Sequence, residues 1–265
     1  MFLKKINIIT YLIFLILLIL SFLFGTYSIY KRIWPFNDGG FLHQYFGEED
    51  FETDSYWANE VVKGGYVLYV RHAEREKWND IVTAYDAYEL INKIDAREST
   101  FYRATCLTER GIEDAKLLGK VFNHANVKIS KIFSSPSCRS RETAINAFGK
   151  IDKYVPAILH ATAINPKEWD EMTEKLKNTI LDCPDIKGSN CVISGHNGTL
   201  SKYYDLLLDK KNLPPARYLE QIKETSFHVL QIDRKNNSIL YKHKFEEFRD
   251  FALHVFNLAD IPSWD

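Results

Sequence analysis

The run Tyr66 to Val70 (YVLYV) has the aromatic and β-branched character of a buried strand, yet Arg71, His72 and Glu74 follow with no turn residue between. Cys191 to Ser194 repeats the pattern, running straight into Gly195, His196 and Asn197. In an open α/β sheet, polar side chains placed just past a strand's last apolar residue line a shared crevice at the carboxyl edge. Two strands ending this way restrict the chain to a layered sheet whose carboxyl edge carries charge.

The rest of the pattern fits that frame. A short helix is expected around Ser55 to Val62, stopped by Gly64 and Gly65. In Cys106 to Phe122, Thr108 suits a helix N-cap, and Ile112, Ala115, Leu118 and Phe122 recur at helical spacing. Lys131 to Ser134 reads as a strand, with Pro136 opening a helix that continues through Arg139 to Ala147. A further strand is expected at Val155 to Leu159. A helix from about Lys167 to Leu181 would place Trp169, Met172, Leu176 and Ile180 on its core face. Phe227 to Ile232 and Ile239 to His243 flank a turn and predict a hairpin. Strands alternating with helices predict an α/β three-layer sandwich with a largely parallel central sheet.

Ahead of this domain, Ile6 to Tyr30 is a stretch of 25 residues without Asp, Glu, Lys, Arg or His. At about 1.5 Å per residue it exceeds the roughly 30 Å hydrocarbon core of a bilayer. No small-x-small cleavage site closes it, so the expectation is an uncleaved signal anchor. The expected organisation is a transmembrane anchor over 1–32, a juxtamembrane spacer and short helix over 33–64, and an α/β domain over 65–265. Residues 75–104, an insertion rich in Tyr, Asp and Lys, are the candidate lid. With only five residues before the apolar stretch, the domain is expected on the extracytoplasmic side of a single-pass membrane protein.

Formal net charge is −1. No run of basic residues provides the footprint that nucleic acid or an anionic lipid surface would need. Four cysteines, Cys106, Cys138, Cys183 and Cys191, lack the paired CxxC spacing of a zinc site. Packing is expected for Cys138, whereas Cys183 and Cys191 flank a short loop and are able to bridge in an oxidising compartment. His43, His124, His160, His228, His243 and His254 show no metal-ligand spacing.

The predicted strand ends would therefore gather Arg71, His72, Arg139 and His196 at one crevice. Holding such a cluster together is costly unless an anion neutralises it, and a phosphoryl group matches the forked donors of arginine. The motifs Arg71-His72-Ala73-Glu74, LTERG from Leu107, SSPSCRSRETA and SGHNG, in that order across Tyr66 to Leu200, resemble the histidine phosphatase superfamily. More loosely, the chain resembles anchored or exported members such as the lipopolysaccharide core heptose phosphatases.

The resemblance implies a metal-free, cofactor-free phosphatase that hydrolyses a phosphomonoester through a phosphohistidine on His72. Arg71, Arg139 and His196 would bind the phosphoryl oxygens, with His196 also counted in the catalytic set. A carboxylate after the second arginine's helix would protonate the leaving group; Glu168 is the first choice, then Glu171 and Asp170. Glu74 is expected to orient Arg71 or its loop. The substrate class is a phosphorylated small molecule or a phosphorylated glycan or lipid headgroup. A phosphoglycerate-mutase-type phosphotransferase and a non-catalytic phospholigand-binding membrane protein are the alternatives. One further motif, Asn197-Gly198-Thr199, is a glycosylation sequon inside the expected pocket, where a sugar would block access.

Overall fold

The computed structural model describes residues 51–76, 106–159, 166–200, 207–208 and 222–256. The expected anchor over 1–32, most of the 33–64 spacer and nearly all of the 75–104 insertion lie outside the described residues. Among the described residues, no helix is long and apolar enough to cross a membrane.

The first element is helix α1 (Phe51–Lys63), which ends where Gly64 and Gly65 adopt φ of 81° and 102°. Gly64 is obligatory for a second reason, because a Cβ there would sit 2.4 Å from the backbone nitrogen of Ser189. Strand β1 (Val67–Arg71) follows. Helix α2 (Glu109–His124) starts at the expected N-cap, where the Thr108 hydroxyl accepts from the Gly111 amide at 2.9 Å. Next come β2 (Ile129–Ser134), α3 (Cys138–Phe148), β3 (Lys153–Tyr154), α4 (Trp169–Leu181), β4 (Asn190–Gly195), β5 (Phe227–Asp233), β6 (Ser238–Phe245) and α5 (Phe248–Val255).

The six strands form one sheet in the order β3-β2-β4-β1-β5-β6. Strands β3, β2, β4 and β1 run parallel, while β5 is antiparallel to β1 and β6 to β5. The sheet is therefore mixed, a four-stranded parallel part extended by two antiparallel strands. The expected β5–β6 hairpin supplies the two antiparallel pairings.

Alternation along β1 places its side chains into two apolar layers. Val67 and Tyr69 join Leu176 and Ile180 of α4 on one face, while Leu68 and Val70 join Leu118, Phe122 and Phe251 on the other. The expected three layers are present. The two faces together bury most of the large aliphatic side chains among the described residues, the main source of stability.

Three local expectations are corrected. Val155 to Leu159 is not a strand: β3 ends at Tyr154, and Pro156–Ile158 form a 3-10 turn. Proline at its first position has no N–H for a ladder, which favours that turn over a continued strand. Cys138 does not merely pack, since it is disulfide-bonded to Cys106, and Cys183 pairs with Cys191. Helix α5 was not expected; its short capped segment closes over the Phe122 layer with Phe251.

Candidate active site

Register decides which side chains meet. Across the parallel β1–β4 pair, Arg71 lies opposite Gly195, and across β2–β4, Ser134 lies opposite Ser194. His72, Ser135 and His196 therefore emerge side by side at the carboxyl ends of three adjacent strands. The backbone continues the ladder beyond the strands, with His72 N–H donating to Gly195 at 3.0 Å and Ser135 N–H to Ser194 at 2.9 Å. The two imidazoles meet edge to face with centroids 5.2 Å apart.

The His72 ring is buried, and its Nδ1 lies 2.8 Å from the carbonyl of Ala73. A carbonyl only accepts, so Nδ1 carries the proton and the lone pair is on Nε2. Burial, then the charges of Arg139 and Arg71, hold this imidazole well below its ordinary pKa. It stays neutral at pH 7, the form a nitrogen nucleophile requires. The loop behind it is fixed by the Ala73 amide, which donates to Thr143 Oγ1 of α3 at 2.8 Å.

Arg139, on the first turn of α3, is 1% exposed. Its Nη2 lies 3.2 Å from Nδ1 of His196, and since a guanidinium only donates, that nitrogen is the acceptor. The His196 Nε2 then bears the proton and lies 3.2 Å from Ser135 Oγ. His196 thus orients Arg139. Tyr69 secures it from below, its hydroxyl donating to the His196 carbonyl at 3.0 Å.

Arg71 donates from Nη1 to the Ile222 carbonyl at 2.6 Å, and its Nη2 lies 3.5 Å from the Glu224 carboxylate. Burial pulls its pKa downward while Glu224 pulls it back up. The structure thus unites His72, His196, Arg139 and Arg71, the four residues selected from the sequence. It adds Glu224, Ser135, Tyr69 and Thr143, which carried no sequence signal beyond the SSPS motif around Ser135.

The expected proton donors stand differently. Glu168 and Asp170 are exposed at the start of α4, and Glu171 is paired with Lys175 at 2.6 Å on the same helix. Among the described residues, no hydrogen bond or ion pair links Glu168 to the histidines. Of the two roles expected for Glu74, its contacts fit the one in the loop: it accepts from the Thr108 hydroxyl at 3.1 Å and faces Arg110, tying the His72 loop to α2. Arg141 donates from Nε to the Pro136 carbonyl at 3.0 Å.

Among the described residues, the group placed to hold a metal is Cys106, Cys138 and Glu142. Its two sulfurs are bonded to each other and the Glu142 carboxylate accepts from the Leu107 amide at 2.8 Å, so the thiolates a metal would need are not offered there. A recess of about 400 Å³ lies at the opposite end of the sheet, beside Gly65, Cys183, Cys191 and Arg234. It contains none of the imidazoles.

Among curated proteins, none matches this chain. Solved structures do. The chain is 17% identical to a putative phosphohistidine phosphatase SixA from Agrobacterium tumefaciens, over 69% of this chain and 97% of that one, with a TM-score of 0.43. It is 13% identical to a putative α-ribazole-5′-phosphate phosphatase from Escherichia coli, over 69% and 98% of the two chains, with a TM-score of 0.45. Phosphoserine phosphatase from Entamoeba histolytica is 17% identical over 68% and 95%, with a TM-score of 0.42. Residues 68–162, the span that carries Arg71, His72 and Arg139, match the family model of the histidine phosphatase superfamily (branch 1).

Proposed function

We propose that this protein is a histidine phosphatase that hydrolyses a phosphomonoester through a phosphohistidine formed on His72. One observation carries the reading: an imidazole whose Nδ1 is held by the Ala73 carbonyl, leaving the lone pair on Nε2, stands beside a second imidazole at one sheet edge, under the charges of Arg139 and Arg71. The positive potential of Arg139 and Arg71 at His72 would attract a phosphate dianion and stabilise the charge spread over its oxygens in the transition state.

In the first step the His72 Nε2 lone pair attacks phosphorus, the N–P bond forms, and the bond to the leaving oxygen breaks with that oxygen taking a proton. In the second, water attacks phosphorus, the N–P bond breaks, and phosphate departs. Arg139 and Arg71 would hold the transferred oxygens. His196 would keep Arg139 aimed and, once phosphate enters, contribute its own N–H.

The wider reading is a membrane-anchored, extracytoplasmic enzyme related to the heptose phosphatases. It rests on the apolar stretch Ile6 to Tyr30 and draws support from two disulfides, which persist in oxidising compartments. Phosphorylated small molecules are the substrate class, with glycan and lipid headgroups included by virtue of the anchor.

The test is hydrolysis of 4-nitrophenyl phosphate by the full-length protein, with acid-labile phosphoenzyme trapped from labelled substrate. His72→Ala is expected to lower turnover by about 10³-fold or more and to abolish the trapped species. Hydrolysis that survives this substitution would overturn the mechanism.

A further inference from the structure

The antiparallel turn of the sheet brings one more acid to the site. Because β5 begins opposite the end of β1, with Val70 facing Phe227, the residues just before β5 cross the mouth of the crevice beside His72. Thr225 N–H donates to the His72 carbonyl at 3.2 Å, and Arg71 N–H donates to the Ser226 carbonyl at 2.9 Å. On the far side, Lys223 N–H donates to Glu246 at 2.8 Å and the Ser226 hydroxyl donates to the same carbonyl at 2.6 Å.

This tight loop holds Thr225 at φ of 66°, a left-handed conformation unfavourable for a β-branched residue and tolerated only where surroundings enforce it. Its neighbours Ile222, Thr225 and Ser226 are buried, whereas Glu224 is turned into the mouth, its side chain 22% exposed against the 28% exposed Arg71. The partly exposed carboxylate stands 3.5 Å from Nη2 of Arg71, the residue that precedes His72.

We propose that Glu224 is the catalytic residue that protonates the leaving oxygen, an inference resting on the phosphatase reading above. In the free enzyme it is the counter-ion of Arg71. An arriving phosphate monoester takes over the Arg71 donors and frees the carboxylate, which receives the proton carried by the monoanionic form of the substrate. As Nε2 of His72 bonds to phosphorus and the P–O bond breaks, the electron pair goes to the leaving oxygen and the Glu224 proton follows it. The carboxylate so formed accepts a proton from the attacking water in the second step, when the N–P bond breaks and its pair returns to Nε2. Among the described residues, Glu168 carries none of these contacts.

The experiment compares 4-nitrophenyl phosphate, whose leaving group needs little protonation, with phenyl phosphate, whose leaving group has a pKa of about 10. Full-length protein, E224Q, E168Q and H72A are assayed on both, with orthovanadate binding as the check that the site is intact. In E224Q, kcat/KM on phenyl phosphate, which reports the step that expels the leaving group and not the hydrolysis common to both substrates, is expected to fall by about 10²-fold or more, and the fall in kcat/KM on 4-nitrophenyl phosphate to be at least about tenfold smaller.

An equal loss on both substrates with raised KM would make Glu224 a positioning residue for Arg71 and overturn the proposal. So would a selective loss in E168Q with none in E224Q. E224D decides the matter if E224Q fails to bind vanadate, because it keeps the negative charge at shorter reach: a loss on phenyl phosphate larger than on 4-nitrophenyl phosphate supports proton donation, and equal losses overturn it. Hydrolysis surviving in H72A would instead unseat the phosphohistidine mechanism, a separate failure.

Discussion

His72 and His196 meet edge to face at 5.2 Å because Arg71 and Gly195 are register partners across parallel strands. Neighbouring parallel strands end level with one another, so the residue after each falls beside the residue after the other. Two side chains far apart in sequence are positioned by a ladder of backbone hydrogen bonds, which is stiffer than any loop contact.

Arg139 is buried, bonded to His196 and aimed by it. Lysine keeps the charge but loses the planar fork, so Arg139→Lys is expected to lower kcat/KM by about 10²-fold or more. Steady-state kinetics on 4-nitrophenyl phosphate measure this, and a variant within threefold of wild type would remove Arg139 from the phosphate site.

The Cys106–Cys138 bridge joins the residue before the LTERG helix signal to the neighbour of Arg139, closing a separation of 32 residues. Loop closure of that length stabilises by about 3–4 kcal/mol, against about 2–3 kcal/mol for the separation of 8 between Cys183 and Cys191. The double variant Cys106→Ala with Cys138→Ala should therefore have the lower urea midpoint of the two bridge deletions. Its kcat should also fall, since α3 would lose the tether at its first turn.

Gly195 has no room for a side chain: a Cβ would lie 2.5 Å from Ile158 Cγ2 and 2.6 Å from the Tyr69 hydroxyl. That hydroxyl is the one bonded to the His196 backbone. Gly195→Ala is expected to cost about 1–3 kcal/mol and to displace His196, lowering kcat more than KM rises. Denaturant melts and kinetics on the same preparation check both halves.

Stability should fall in mild acid. Burial depresses His72, and depresses His228 to about 3, from the ordinary imidazole value of about 6.5. Below about pH 6.5 the unfolded chain binds protons that these buried rings refuse, so folding free energy declines as pH falls, for His228 until about 3. His228 should contribute a loss of about 1 kcal/mol between pH 6 and pH 5, and His72 a loss of the same sign. His228→Gln, read by urea midpoints across that range, should flatten the slope by about one proton; an unchanged slope would show that His228 is not its source.

Local chemistry along the chain was enough to place Arg71, His72, Arg139 and His196 at strand and helix boundaries, because apolar runs that end in charge mark a sheet's carboxyl edge. The Thr108 cap, the glycine stop at Gly64 and the apolar stripe of α4 were readable for the same reason, each being set by neighbours within a few residues. What the three-dimensional packing alone decided were pairings across long separations: Cys106 with Cys138, Tyr69 with the His196 backbone, and Glu224 with Arg71. Glu224 sits before an ordinary hairpin strand and reaches the site only because β5 runs antiparallel to β1 and starts where β1 stops. Strand order depends on the summed burial of two apolar layers, a property of the whole sheet that no short segment encodes.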